Sequence, residues 1–141
     1  MTPIEATNAI MRHAIDNWNA ATAALTFDGE RFEPPAGEPW IRVTIRDLPT
    51  ATVTHGARGN RQAERRATLI AQVFHPLSES DGAGAALELA TAFRDLFEPA
   101  AVTSDAGVVH IVGGATVRRI GVDGPWYQAN VDVPLTYFER I

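Results

Sequence analysis

An α+β fold is predicted for this chain: a mostly antiparallel sheet of four to six strands with two helices packed on one face. Three observations predict it. Helical periodicity appears in two separate segments, at the N-terminus and after residue 84, while most of the intervening and following segments alternate with the period of a strand. The resulting order, α-β-β-β-α-β-β with a further β segment, lacks the regular β-α-β alternation of a parallel sheet. The 141 residues, 45% hydrophobic and 21% charged, suit one domain spanning 1–141 with its own core.

The first segment, Thr2 to about Thr26, reads as an amphipathic helix. Thr2 is an N-cap, Pro3 suits the first helical position, and Glu5 completes a capping box. Ile4, Met11, Ile15, Trp18 and Leu25 would form its buried stripe. From Phe27 to Pro39 the density of proline and glycine predicts an exposed connector. Trp40 to Arg46 alternates, Ile41, Val43 and Ile45 facing one way and Arg42, Thr44 and Arg46 the other. Asp47 to Pro49 reads as a turn and Ala51 to Thr54 as a second short strand. His55 to Arg66, with four arginines and two glycines, reads as a projecting loop or hairpin tip. Ala67 to Phe74 is apolar on both faces, as a strand is that lies centrally in the sheet or is flanked by a subunit.

Ser78 to Gly84 reads as a turn with Ser80 and Asp81 as cap candidates, followed by a helix from Ala85 to Glu98 whose buried face is Ala86, Leu89, Ala90, Phe93, Leu96 and Phe97. Val108 to Val112 and Thr116 to Ile120 read as extended, Gly121 to Pro125 as a turn, and Trp126 to Phe138 as a long strand. In that strand Tyr127, Ala129, Val131, Val133 and Leu135 face the core, and Gln128, Asn130 and Asp132 face away. Pro134 places its end of the strand at an edge, a bulge or a sheet terminus.

The absence of cysteine excludes disulfides, thiolate catalysis and zinc–cysteine sites. No apolar run is long enough to span a bilayer and no signal peptide is visible, so a cytosolic address and no membrane contact are expected. The net charge of −5 argues against a general nucleic-acid binder. All twelve basic residues are arginine. His13, His55, His75 and His110 lack metal-ligand spacing, no G-x-S-x-G occurs, and Gly82-Ala-Gly84 is no P-loop. No catalytic residue, metal or cofactor is therefore assigned. The Arg58–Arg66 stretch reads as a solvated hairpin tip, as a docking loop that meets an acidic ring or a neighbouring subunit, or, less well because aromatic interleaving is absent, as a nucleic-acid contact.

The segment Arg119-Ile-Gly121-Val-Asp-Gly124-Pro-Trp126-Tyr127-Gln128-Ala-Asn130-Val131-Asp132-Val133-Pro134 resembles the C-terminal signature of siphophage tail terminator-like proteins, W-Y-Q-x-N-V-x-V-P, with Leu135 where Phe is common. Trp40-Ile-Arg42-Val43-Thr44-Ile45 and Asp81-Gly82-Ala-Gly84 fit the same resemblance. It implies a non-enzymatic phage, prophage or gene-transfer-agent component that caps the tail tube as a hexameric ring, stops tube polymerisation and offers a head–tail joining surface. Its partners would be copies of itself, the tube protein and a head-completion or stopper protein. DNA would pass through the ring without specific binding. The expected location is the tail of the particle, assembled in the bacterial cytoplasm. Another neck component, a small ligand-binding domain or enzyme, or a dimerisation module are the alternatives. The candidate interface residues are Arg42, Arg46, Arg58, Arg61, Arg65, Arg66, Gln128, Asn130 and Asp132. Trp40, Gly121, Gly124, Trp126, Tyr127, Val131 and Pro134 are expected to carry the motif or its structure.

Overall fold

The computed structural model describes residues 1–77 and 81–141, the side chains of 51 and 52 excepted. The elements run α1 (Pro3–Asn17), β1 (Ala24–Phe27), β2 (Trp40–Val53), β3 (Gln62–Pro76), α2 (Gly82–Asp95), β4 (Ala101–Ser104), β5 (Gly107–Ile111), β6 (Thr116–Asp123) and β7 (Trp126–Arg140). The seven strands form a mixed sheet in the order β1-β2-β3-β7-β5-β4, with β6 also paired to β7. This corrects the expected sheet in number and in character: β1 joins β2 in parallel, while the other pairs are antiparallel. β1 and β4 are four residues each, too short for alternation to announce them.

Helix α1 begins as its sequence dictates. The Glu5 N–H donates to Thr2 Oγ1 (3.3 Å) and the Thr2 N–H donates to Glu5 Oε2 (2.7 Å). It ends at Asn17, well short of Thr26. Asn17 Nδ2 donates to the His13 carbonyl (2.8 Å), and the Ala21 N–H donates to Asn19 Oδ1 (3.0 Å). Side-chain amides thus compete for backbone partners and turn the chain into β1. The buried face is Ala6, Ala9, Ile10 and Ala14, whereas Ile4 and Ile15 are 64% and 52% exposed. Small side chains let the helix lie close to the sheet; of the expected stripe, Met11, Trp18 and Leu25 pack against the core and Ile4 and Ile15 do not.

β2 continues through Asp47-Leu48-Pro49 as one strand, with a register shift between Leu48 and Thr52 that takes the place of the expected turn. The β2–β3 connection is correspondingly shorter than anticipated, spanning 54–61, and Arg65 and Arg66 belong to β3. The turn anticipated at 78–80, with Ser80 as a cap, lies outside the described residues. Asp81 caps α2 by accepting the Gly84 N–H (2.9 Å), and a side chain at Gly84 would collide with that carboxylate.

β7 is the spine. It pairs with β3 from Trp126 to Arg140. Along its other edge β6 pairs up to Asp132 and β5 begins at Leu135. Pro134 sits in this gap, its carbonyl accepting the Val112 N–H (3.1 Å), so its missing donor leaves no ladder partner unsatisfied. Ile41, Val43, Leu69, Ala71, Val73, Ala129, Val131 and Val133 form one core cluster with Ile10 of α1 and Phe93 of α2. Trp18 meets Phe93 edge-on at 5.5 Å.

Candidate functional site

The sheet face turned away from the core cluster gathers most of the residues singled out above. Because partners directly opposite in a ladder share a face, register alone places them. One row across β2, β3, β7 and β6 reads Arg42, Gln72, Asn130, Arg118. The next reads Thr44, Ile70, Asp132, Thr116. Arg46, Thr68 and Pro134 follow, then Leu48, Arg66, Thr136 and His110.

Four arginines of these rows, and Arg140 two rows further on, therefore share a face in a chain of net charge −5. Arg118 is the only one of them that a carboxylate neutralises among the described residues. Its Nε donates to Asp132 Oδ2 at 2.8 Å and its Nη2 to Oδ1 at 3.4 Å. That hydrogen bond first, and the charge of Asp132 second, raise the Arg118 guanidinium above its usual value. Arg42 lies over the Trp40 ring, 5.2 Å from its centroid. Gln128 and Asn130 face this side as expected, but they are buried, and the Gln128 amide donates to Asn130 Oδ1 at 2.9 Å.

An aromatic cluster closes one end of the face. Trp40 stacks on Phe74 (4.2 Å, 12° between planes) and receives Trp126 edge-on at 6.1 Å. Phe32 of the 28–39 connector lies 5.2 Å from Trp40. The Trp40 Nε1–H is buried with no acceptor among the described residues. Tyr127 is half-buried and packs against the core, and Val131 is fully buried within it. Gly121 (φ +123°) follows a bulge in β6, and Gly124 (φ +57°) opens the two-residue turn into β7, the pattern of a type II′ hairpin with Pro125 second.

The arginine-rich stretch divides. Arg58 is exposed at the tip of the β2–β3 hairpin, and Arg61 is half-buried there. The Gly59 and Arg61 N–H groups donate to the Ile141 carbonyl (2.9 and 3.3 Å), which ties the tip to the end of β7. Arg66 faces the open side. Arg65 lies on the other face, bonded to Thr50 and paired with Glu139 at 3.2 Å. Beside it the Tyr137 phenol is raised above its ordinary value, by burial first and then by Asp47 and Glu139, against the opposing pull of Arg65. Arg118, Gln72 and Phe32 were not singled out from sequence. Only pairing with β7 puts Arg118 on this face, and nothing local distinguishes it from Arg119.

The histidines are dispersed. His13 lies 2.6 Å from the Leu96 carbonyl, and His75 Nδ1 lies 3.0 Å from the Pro76 carbonyl. Among the described residues no three His, Asp or Glu side chains gather as metal ligands would. No helix among them is long and apolar enough to cross a membrane.

One solved structure, of a protein without a descriptive name, superimposes with a TM-score of 0.67 at 16% identity, covering 92% of this chain and 94% of the other. That likeness establishes a shared fold. None of the curated proteins compared matches. A family model described as phage tail terminator protein matches residues 6–135. The chain therefore belongs to the phage tail terminator protein family, a family of phage tail structural proteins.

Proposed function

We propose that this chain, acting as one unit over 1–141, closes the end of a phage or phage-like tail tube. Copies assemble into a ring, expected to be a hexamer, that stops tube polymerisation and presents a joining surface to the head-completion protein. The observation that carries this reading beyond family membership is the open sheet face. Arg42, Arg46 and Arg66 have no carboxylate partner there among the described residues. A planar guanidinium suits bidentate pairing with carboxylates of a partner protein. Gln128, Asn130 and the Arg118–Asp132 pair stiffen the middle of that face, so the docking groups project from an ordered floor. The role is one of shape and contact, with no bond made or broken and no cofactor required. DNA passes the ring without specific recognition.

The test is particle assembly in cells lacking the protein. Overlong tails, joined to heads or not, support termination. Tails of normal length, joined to heads, would remove the reading. Normal-length tails that fail to join heads would move the role to a stopper in the neck.

A further inference from the structure

We infer that the arginine tip of the β2–β3 hairpin seats in a cleft between α1 and β4 of a second copy of this chain. The inference rests on the ring reading above and names the contact that closes the ring. The cleft measures about 530 Å³ and lies between the exposed flank of α1 and residues 102–106. Ala9 and Val102 form its floor, and Glu5, Asp16 and Asp105 face it with Arg12 as the single guanidinium. Glu5 already closes the helix cap, whereas Asp16 and Asp105 have no ion-pair partner among the described residues. One wall is β4, the terminal strand of the sheet, which among the described residues pairs only with β5. Its outer backbone groups are open to an added extended segment.

The hairpin tip has the complementary chemistry. Residues 54–60 are exposed, Arg58 and Arg61 have no carboxylate partner among the described residues, and Gly56, Ala57 and Gly59 present little side-chain bulk to the cleft. Its bonds to Ile141 hold it in shape before it docks, which lowers the ordering cost of binding. The two surfaces lie on opposite sides of β7, with β3 and β2 to one side and β5 and β4 to the other. A head-to-tail contact needs that arrangement, because each copy offers one surface to each neighbour.

Charge exchange tests the pairing. Arg58→Glu with Arg61→Glu, and separately Asp16→Arg with Asp105→Arg, should each convert the oligomer to monomer in light scattering with unchanged circular dichroism. Combining all four should restore the oligomer. The cysteine-free chain allows a second measurement: Arg58→Cys mixed with Asp105→Cys should yield a mixed disulfide dimer, and neither variant alone should do so. Oligomers that survive both reversals, a quadruple variant that stays monomeric, or no mixed disulfide in oligomeric protein would each overturn this docking while leaving the ring standing. A wild-type chain that stays monomeric at every concentration, and on tube ends, would overturn both.

Discussion

Trp40 should be the most costly truncation on the open face, although the face is not the main core. Only 4% of the residue is exposed, with Phe74 stacked on one side, Trp126 at its edge and Phe32 nearby. Burying a large aromatic of about 150–250 Å² at about 25 cal/mol per Å² contributes roughly 4–6 kcal/mol. The orphaned Nε1–H subtracts about 1–3 kcal/mol from that gain. Trp40→Ala should therefore cost about 3 kcal/mol, at the lower end of the usual range for such truncations. With a urea slope of about 2 kcal/mol per molar, the midpoint falls by about 1.5 M. Trp40→Phe keeps the stack and removes the orphaned donor, so it should cost about 1 kcal/mol or less. Urea unfolding followed by circular dichroism at fixed protein concentration measures both. A cost below about 1 kcal/mol for alanine, or equal costs for alanine and phenylalanine, would refute the packing argument.

Two further outcomes follow from backbone and charge. Gly121→Ala should cost about 1–2 kcal/mol, as thermal unfolding would show. Nothing lies within 4 Å of the added Cβ, so the cost is conformational: φ +123° lies outside the left-handed region that other residues can adopt. The Tyr137 phenol should titrate late in an ultraviolet absorbance titration, and Glu139→Gln, which removes one opposing carboxylate, should bring its titration back toward 10.0. Because the folded state holds that proton more tightly than the unfolded chain, the associated stability is intact below pH 10.0 and is lost as pH rises through the raised value.

Elements written in local chemistry were legible in the sequence. The Thr2–Glu5 capping box, the Asp81 cap, the alternation of Ile41 and Val43 against Arg42, and the long strand from Trp126 were each readable because neighbours a few residues apart decide them. Features set by distant pairing were not. β1 exists because β2 offers it an edge, and β4 because β5 does. The stripe of α1 was legible only in part, because alanine burial depends on how near the sheet lies. The candidate face was half-legible. Alternation showed that Arg42 and Asn130 leave the core, but only the register across β3 puts them in one row, and only pairing with β6 adds Arg118. Trp126 looked like the aromatic anchor of its motif. The structure centres the cluster on Trp40 instead, whose partners lie 34 and 86 residues further along the chain, at Phe74 and Trp126.

The distribution of charge ties these observations together. A chain with 17 acidic residues has enough carboxylates to neutralise every arginine on its surface, yet among the described residues it pairs only Arg118, Arg65 and Arg94, and the unpaired guanidinium groups include Arg42, Arg46 and Arg66 on the open face and Arg58 at the hairpin tip. Surface ion pairs add little to stability, so leaving them unmade costs the monomer little. What the segregation produces is directional: one basic face, one basic tip and one acidic cleft, each on a different part of the molecule. On the reading proposed above, the tip and the cleft join copies of the chain while the face stays free for a different partner. Closing a ring and docking it then become separable events, because neither uses the residues of the other.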